Sequence, residues 1–504
     1  MVVFEPDRFE DGSPSLVQDI SGARWDPLYR KPCGFSPDIF SGVMMNLIRN
    51  PNINSSWLFR ADILFEQDQG QEPQVILSAA APAPAVAQFI GFHLDKTLVR
   101  KLIPRNPNRD APLDQTCLIY HSQKTGEDLK SLVVYIPHVS SPSDMPFYHP
   151  GVRGVAFLHE WNSTSKIGTI SIHYHFFDDE VREPELAKLA RTGLHLLSTL
   201  HKHGEGRKAG YVKRVQHDTI IPQAAVQTTY TKLKEKYARQ LIQGWAEVTD
   251  PTKHVFEDLA IAAFLIELWA QMYQDTAFPG FVDIGCGNGL LVYILRKEGY
   301  SGWGFDARRR KSWDNYSTVP DLYTRDGDVS SLRQHILLPS VVRSASEAED
   351  TKNLVIDGTE SAGLIHDGLF PKGTFIISNH ADELTPWTPI LGAISECPFI
   401  MIPCCSHDLA GAKFRAPAPK QQGKSMSAYS SLVEWVTKIA IDCGWEVETE
   451  MLRIPSTRNV GLIGRHRVNT SAPIDIQAIL AKYGGADGYY NNVIKLVKNA
   501  PRGH

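Results

Sequence analysis

Short runs of β-branched and aromatic residues recur between residues 90 and 180, separated by polar residues. The runs are CLIYHS (117–122), SLVVYIPHV (131–139), GVAFLHEW (154–161) and TISIHYHFF (169–177). They predict β-strands, because branched and aromatic side chains fit a half-buried pleated surface. Residues 185–203 follow with leucines at helical spacing, which predicts an amphipathic helix. The stretch before about residue 70 is polar and irregular, with a short helix expected near Ile39–Ile48. Together these segments predict an α+β domain over residues 1–225.

After residue 225 the pattern changes to long helices and then to alternating strands and helices. Asp250 and Pro251 fit the N-cap and first position of a helix that continues to Tyr273. Strand-like runs follow at FVDIG (281–285), GWGFDAR (302–308), NLVIDG (353–358) and TFIISN (374–379). This alternation predicts an α/β, Rossmann-like domain with a doubly wound parallel sheet over residues 226–468.

The other segments of this second half are assigned by the same reasoning. We expect a helix and a polar loop within 326–350, a helix at 426–444, and a final pair of strands at 445–452 and 460–467. Residues 469–504 are predicted to form a helical extension. No internal repeat interrupts this order.

Composition narrows the class of protein. The 504 residues carry a formal net charge of -4, and the chain is 42% hydrophobic. A nucleic-acid partner must therefore be held by local basic patches and not by an overall positive field. The longest apolar run, LAIAAFLIELWA (259–270), is too short for a bilayer span, and the acidic N-terminal residues do not fit a secretory signal. We expect a cytoplasmic protein with no membrane contact.

The cysteines point to a reducing compartment. Seven occur, an odd number, and no two form a CxxC pair. We therefore expect reduced thiols, no disulfide framework, no zinc module and no bound metal. Cys404 and Cys405 follow a strand-like run and are expected to be structural thiols, although they could also line a pocket. His173 and His175 share one strand face and are expected to be structural.

A glycine turn follows the strand FVDIG, with Gly285, Gly287 and Gly289 in a GxGxG pattern. Glycine permits a tight turn and lets a ligand approach the backbone N–H groups. Asp306 ends the next strand, where a carboxylate can accept hydrogen bonds from ribose hydroxyls. The GxGxG spacing differs from the GxGxxG of dinucleotide folds, and Asp283 before the turn is common in methyltransferases. We predict S-adenosylmethionine as the cofactor, with Asp283, Gly285, Gly287, Asn288, Gly289 and Asp306 as its binding residues.

Polar residues also follow the strand TFIISN, in the run SNHADELTPW (378–387). Ligands of open α/β sheets lie beyond the carboxyl ends of the strands, so these side chains are predicted to lie next to the cofactor. His380 is the candidate base, with Asp382 or Glu383 orienting it. Asn379 is a further candidate for substrate positioning, and Trp387 for stacking on a nucleotide. Alternatively, the two acids cap the following helix and Trp387 belongs to the core.

Clusters of basic residues are candidates for phosphate contacts. HKHGEGRKAGYVKRVQHD (201–218) is interpreted as a flexible basic loop, and RRRK (308–311) follows Asp306 at the same sheet edge. Each charge run is otherwise a solvated surface. The candidate RNA-binding cations are Lys208, Lys213, Arg214, Arg308, Arg309, Arg310, Lys413 and Arg458.

The segment FVDIGCGNGLLVYILRKEGYSGWGFDARRRKSWDNY (281–316) resembles the signature of the tRNA uridine-44 2′-O-methyltransferases. The resemblance continues in four further groups of segments between about residues 110 and 467, among them SNHADELTPWTP (378–389), PCCSHD (403–408) and LRIPSTRNVGLIGR (452–465). It implies transfer of a methyl group from S-adenosylmethionine to a ribose 2′-hydroxyl in serine tRNA.

Two other functions stay open on the sequence alone. The chain could be a methyltransferase of a protein or a small molecule, with the N-terminal domain as a different substrate platform. It could also be a non-catalytic RNA-binding subunit built on a methyltransferase fold. The intact GxGxG turn with its two aspartates disfavours the non-catalytic alternative, and the basic stretch 201–218 favours an RNA substrate.

Overall fold

The protein is described by a computed structural model that covers residues 4–70, 74–75, 82–105, 109–122, 128–177, 185–211, 217–317, 330–342, 355–356, 359–360, 364–417, 427–468 and 474–498. The chain divides into two units, Met1–Lys213 and Arg214–His504. The domain boundary predicted at residue 225 therefore falls inside the second unit.

The first unit is built on a nine-stranded antiparallel sheet. Its strands are β1 (Asp7–Arg8), β2 (Asp26–Cys33), β3 (Leu58–Asp68), β4 (Gln74–Val75), β5 (Phe92–Pro104), β6 (Leu113–Ser122), β7 (Asp128–Pro137), β8 (Gly154–Asn162) and β9 (Ile167–His175). They lie in the order β1-β2-β9-β8-β7-β6-β5-β3-β4. The four strands predicted from apolar runs correspond to β6–β9, and the α+β class is confirmed.

Two helices cover one face of this sheet. They are α1 (Pro37–Arg49) and α2 (Glu185–Lys208), and short 3₁₀ turns occur at Pro51–Ile53 and Pro142–Asp144. Phe40 and Leu200 from the helices share one core with Phe157 of β8. Residues before 70 are more regular than predicted, because β2 and β3 flank α1. The expected flexible loop at 201–218 is helical as far as Lys208, since the apolar spacing of α2 continues to Leu200 and Gly204.

The second unit contains a seven-stranded sheet. Its strands are β10 (Phe281–Ile284), β11 (Gly302–Asp306), β12 (Leu332–Gln334), β17 (Phe375–Asn379), β18 (Phe399–Ile402), β19 (Trp445–Met451) and β20 (Val460–Arg467). The order is β12-β11-β10-β17-β18-β20-β19. The first five strands are parallel, and β20 runs antiparallel to both β18 and β19.

Helices pack on both faces, as the doubly wound prediction requires. One face carries α3 (Gln223–Gln243), α4 (Pro251–Met272) and α5 (Leu290–Lys297). The other carries α7 (Thr388–Ser395), α8 (Ala428–Asp442), α9 (Ile476–Lys482) and α10 (Tyr489–Lys498), while the short α6 (Trp313–Tyr316) packs with the first group. The last two helices share the core of this unit. In the described part of the chain, no helix combines the length and apolar character needed to cross a membrane.

The strands predicted for the middle of this unit were wrong. The third parallel strand is β12, from a stretch assigned to a helix and a loop. The described part of NLVIDG is only β14 (Val355–Ile356), which pairs with β15 (Thr359–Glu360) outside the main sheet. β13 (Ile336–Leu337) and β16 (Ile365–His366) form another small pair. By contrast, α4 begins where predicted, because the Asp250 carboxylate accepts a hydrogen bond from the Thr252 N–H.

Candidate active site

The candidate site lies where the strand order of the second unit reverses. The chain passes from β10 to β11 and β12 on one side, and returns through β17 and β18 on the other. Ligands of such sheets bind beyond the carboxyl ends of the strands at this switch point. The glycine turn follows β10 and the SNHADELTPW segment follows β17, and these two strands are hydrogen-bonded neighbours. The two predicted groups of site residues therefore lie at the same sheet edge.

The three glycines adopt backbone conformations that other residues rarely do. Their φ values are +74° at Gly285, +53° at Gly287 and +78° at Gly289. A Cβ atom at Gly289 would lie 2.4 Å from Leu332 Cδ1, whereas one at Gly287 would meet no heavy atom within 4 Å. Gly289 is therefore required for packing, and Gly287 leaves open space beside its backbone. That space is a fitting place for a ligand.

Asp306 fixes the central part of the turn. One carboxylate oxygen accepts the Gly287 N–H at 3.1 Å, and the other accepts the Arg308 N–H at 3.1 Å. A carboxylate offers about four acceptor positions, so these bonds leave others for hydroxyl donors. Asp306 therefore stabilises the turn. The same carboxylate can also accept hydrogen bonds from ribose hydroxyls, as predicted.

Asp283 is 2% exposed, and its Oδ1 has no hydrogen-bond partner among the described residues. Burial raises the pKa of this carboxyl well above its ordinary value, and the nearby Asp258 and Asp306 raise it further. Burial likewise raises the pKa of Asp258, on α4, to about 8. A buried acceptor without a partner is costly unless a ligand supplies the missing donor. The ammonium group of S-adenosylmethionine would be such a donor.

Residues that the sequence analysis did not select brace the turn from outside. The Trp313 indole N–H donates to the Gly287 carbonyl at 2.8 Å, and the Ser312 N–H donates to the Glu247 carboxylate at 3.0 Å. Within the turn, Asn288 Oδ1 accepts the Leu290 N–H at 2.9 Å at the start of α5. Asn288 thus stabilises the turn that leads into α5, whose N-cap is Gly289. The run SWDNY after the basic cluster was the available signal for Trp313.

His380 pairs with a residue that the sequence analysis missed. Its Nε2 lies 3.2 Å from Glu257 Oε1 on α4, and its side chain is 27% exposed. Burial alone would raise the pKa of Glu257, but the hydrogen bond and charge of His380 outweigh it and the pKa is lowered. The glutamate is therefore ionised beside the imidazole. A signal existed, because Glu257 and Asp258 are acids within the apolar spacing of α4.

The two acids expected to orient His380 have other partners. Asp382 Oδ1 accepts a hydrogen bond from the Cys404 thiol at 2.9 Å. Glu383 Oε1 lies 3.6 Å from Nε2 of the buried His407. The carboxylate that lies beside the His380 imidazole is that of Glu257, so we expect Glu257 to orient the ring in place of Asp382 or Glu383. Asn379 Oδ1 is buried without a partner among the described residues, which leaves this oxygen available to a ligand.

Trp387 does not form a stacking wall. The side chain is 0% exposed, its indole N–H donates to the Leu409 carbonyl at 3.2 Å, and its ring packs on Tyr489. Because both faces lie in the core, no nucleotide can stack on it. The alternative interpretation of this residue, as part of the core, is the correct one.

The predicted RNA-binding cations are distributed over both units. Lys208 is exposed at the end of α2, with its Nζ 3.9 Å from Glu205, whereas Lys213 and Arg214 lie outside the described residues. Arg309 is exposed and paired with Asp314, while Arg308 and Arg310 are partly buried. Lys413 and Arg458 are exposed, and the Arg458 guanidinium lies over the Tyr429 ring.

Arg458 lies near the residues that follow β17 and β18. Burial, and then Asp382, raise the pKa of the Cys405 thiol, and the nearby Arg458 charge opposes this rise weakly. Cys405 in turn neighbours Asp382, which follows β17. The prediction from sequence gave no reason to connect Arg458 with the NHADEL segment. These cations remain candidates for RNA contact.

Comparisons with known proteins agree with this architecture. Residues 7–214 match the family model described as "TRM44-like, N-terminal bet v1-like domain". Residues 220–325 match the model described as "Predicted AdoMet-dependent methyltransferase". The second match includes the glycine turn and Asp306.

Whole-chain relatives carry a common name, tRNA (uracil-O(2)-)-methyltransferase. The Neurospora crassa protein is 58% identical over 494 residues, covering 96% of each chain. The Schizosaccharomyces pombe protein is 37% identical over 516 residues, covering 99% of this chain and 98% of its own. The Saccharomyces cerevisiae protein is 37% identical over 564 residues, covering 97% and 96%. The chain therefore belongs to the tRNA (uracil-O(2)-)-methyltransferase family.

Proposed function

We propose that this protein methylates the ribose 2′-hydroxyl of uridine 44 in serine tRNA. Family membership gives the coarser activity, an S-adenosylmethionine-dependent tRNA (uracil-O(2)-)-methyltransferase. The position in the tRNA and the serine acceptor rest on the resemblance of the segments between residues 110 and 467. The structural observation that carries the proposal is the glycine turn on the strand next to the one that His380 follows. The strand before this turn carries Asp283, one oxygen of which has no hydrogen-bond partner among the described residues.

The residues present fit the cofactor. Gly287 leaves open space at the turn, Asp283 offers a buried acceptor, and Asp306 closes the adjacent strand. In our proposal these three residues, with Gly285, Asn288 and Gly289 shaping the turn, hold S-adenosylmethionine. When bound, it supplies an electrophilic methyl group on a sulfonium, and the protein contributes binding and alignment.

A ribose hydroxyl is a weak nucleophile, so loss of its proton during attack lowers the barrier. His380 Nε2–H donates a hydrogen bond to the ionised Glu257. In this tautomer of the neutral ring, Nδ1 is the basic atom. In our proposal Nδ1 takes the hydroxyl proton, and the ionised Glu257 stabilises the resulting imidazolium. Asn379 is proposed to position the acceptor ribose, because its buried amide oxygen has no partner in the part of the chain that the structure describes.

The proposal places the tRNA on basic side chains of the chain. Lys413 and Arg458 are accessible in the described structure, and Lys208, Lys213, Arg214 and the arginines 308–310 complete the proposed set. Phosphate contacts of this kind position an RNA without reading its sequence. All seven cysteines are free thiols, which supports the proposed cytoplasmic location.

The chemistry is tested by incubating the protein with labelled S-adenosylmethionine and total tRNA, followed by nucleoside analysis. We expect the label in 2′-O-methyluridine. Label in protein or in a small molecule, with none in 2′-O-methyluridine, would refute the proposal. The variant His380→Gln is the matched negative control, because it keeps the cofactor turn intact.

A further inference from the structure

Two cysteines and a carboxylate converge beside the candidate site. Asp382 follows β17, and Cys404 and Cys405 follow the neighbouring β18. One carboxylate oxygen of Asp382 and the two Sγ atoms all lie within 4.8 Å of one another. The three side chains are partly buried, and two of the atoms, Cys404 Sγ and Asp382 Oδ1, are 2.9 Å apart.

This donor set has the chemistry of a site for a thiophilic divalent ion. Two thiolates and one carboxylate suit Zn²⁺, whereas Mg²⁺ and Ca²⁺ prefer oxygen ligands alone. Ordinary Zn–S and Zn–O bonds in a tetrahedron place ligand atoms about 3.6–3.8 Å apart. The observed cluster therefore needs only small side-chain movements to surround an ion. Three protein ligands leave the fourth position of a tetrahedral site open.

The donor atoms of the cluster already contact one another, because the Cys404 thiol donates a hydrogen bond to the Asp382 carboxylate. A bound dication would replace the thiol protons and neutralise the carboxylate. The backbone already holds Asp382 at a φ of +43°, a conformation that a residue with a side chain rarely adopts.

We propose that Asp382, Cys404 and Cys405 bind one zinc ion, with its fourth position open to a water or another oxygen ligand. Asp382 lies two residues after His380. The site is formed after β17 and β18, and β17 is the neighbour of β10, which carries the glycine turn. It departs from the absence of a metal expected from the sequence, which lacked a CxxC pair. That expectation could not anticipate Asp382, because the aspartate is 22 residues from Cys404.

Metal content tests the proposal directly. We expect the full-length protein, expressed with zinc and purified without chelators, to retain zinc in about equimolar amount. The metal-free protein, titrated with Co²⁺, should develop thiolate-to-cobalt charge-transfer absorption. Both signals should be lost in the Cys404→Ser/Cys405→Ser double variant, and Asp382→Asn should weaken cobalt binding at least tenfold. Cys443→Ser, which changes a buried thiol elsewhere, should leave both signals intact.

Two results would overturn the proposal. One is wild-type protein that retains no zinc and gives no charge-transfer band with Co²⁺. The other is a double variant whose zinc content and cobalt spectrum equal those of the wild type. Circular dichroism and S-adenosylmethionine binding establish that each variant is folded. Because the readout is metal and not methylation, failure of the tRNA methylation assay would leave this inference standing, and failure here would leave the proposed function standing.

Discussion

The Nε2 atom of His380 lies 3.2 Å from a carboxylate oxygen of Glu257, a residue 123 positions earlier in the chain. The pair joins the end of β17 to α4, the helix that also delivers Asp258 toward Asp283. Helix α4 thus contributes Glu257 beside the proposed base and Asp258 near the proposed cofactor site. Catalysis and cofactor binding should therefore be separable by substitutions at neighbouring positions of α4.

Replacing His380 by Gln should lower kcat for tRNA methylation about 10²–10⁴-fold, because the acceptor hydroxyl loses its base. The dissociation constant for S-adenosylmethionine should stay unchanged. Glu257→Gln should lower kcat less, since the imidazole remains but its partner charge is gone. Single-turnover kinetics and calorimetry measure the two quantities. His466→Gln, on the exposed side of β20, is the control, and an unchanged kcat in His380→Gln would refute the assignment of the base.

Asp283→Ala should weaken S-adenosylmethionine binding by at least about tenfold, the loss expected for a hydrogen bond to a charged group. The fold should survive, because the Asp283 Oδ1 atom is buried and, among the described residues, makes no hydrogen bond that the substitution would break. Isothermal titration calorimetry gives the affinity. Asp314→Ala removes an exposed aspartate from the following segment and should bind normally. Equal affinities in the two variants would contradict the proposed cofactor site.

Asp258→Asn should make the stability of the protein less dependent on pH. The native pKa of Asp258 is raised from 3.8 to about 8 by burial and by Glu257, so the native chain holds a proton that the unfolded chain has released. Stability conferred by the protonated carboxyl is therefore lost as pH rises between about 4 and 8. The variant should melt higher than wild type near pH 8 and similarly near pH 4.

Calorimetric melting temperatures across this range provide the measurement for Asp258. Asp487→Asn changes an exposed carboxyl and should follow the wild-type profile. Two results together would contradict the prediction. The wild-type melting temperature would be lower at pH 5 than at pH 8, and Asp258→Asn would not change the difference between these two melting temperatures.

The Lys413→Ala/Arg458→Ala double variant should bind tRNA more weakly at low salt. If each cation contacts a phosphate, the slope of log affinity against log salt should fall by about one for each. Lys372→Ala is the control, because Lys372 is an exposed cation already paired with Glu396. The Lys213→Ala/Arg214→Ala pair tests the basic stretch 201–218 in the same way. A double variant with unchanged affinity and slope would exclude its cations from the RNA contact.

Local rules predicted the elements that local interactions determine. The GxGxG turn, the Asp250 cap of α4 and the strand at 460–467 were all predicted, because each depends on residues a few positions apart. The third parallel strand was missed, since β12 has only three residues and shows no usable periodicity. The helix α1 was predicted near Ile39–Ile48, but the strands before residue 70 were missed, because β3 is largely half-buried and lacks a clean alternation of apolar and polar positions.

The candidate site was predicted in part for the same reason. The segments after β10 and β17 were identified correctly as neighbours, because parallel strands place their carboxyl ends at one edge. Which partner each side chain meets there depends on packing between distant elements. Glu257 reaches His380 from α4, Asp382 turns to Cys404, and Trp387 enters the core against Tyr489. None of these contacts follows from spacing along the chain.

The central claim is that the acceptor is the 2′-hydroxyl of uridine 44 in serine tRNA, and a single-atom change in the substrate tests it most directly. Serine tRNA carrying 2′-deoxyuridine at position 44 should accept no methyl group from labelled S-adenosylmethionine. The same tRNA with one 2′-deoxynucleotide at a neighbouring position should be methylated as well as the unmodified tRNA. Full methylation of the tRNA that lacks the position-44 hydroxyl would contradict the account.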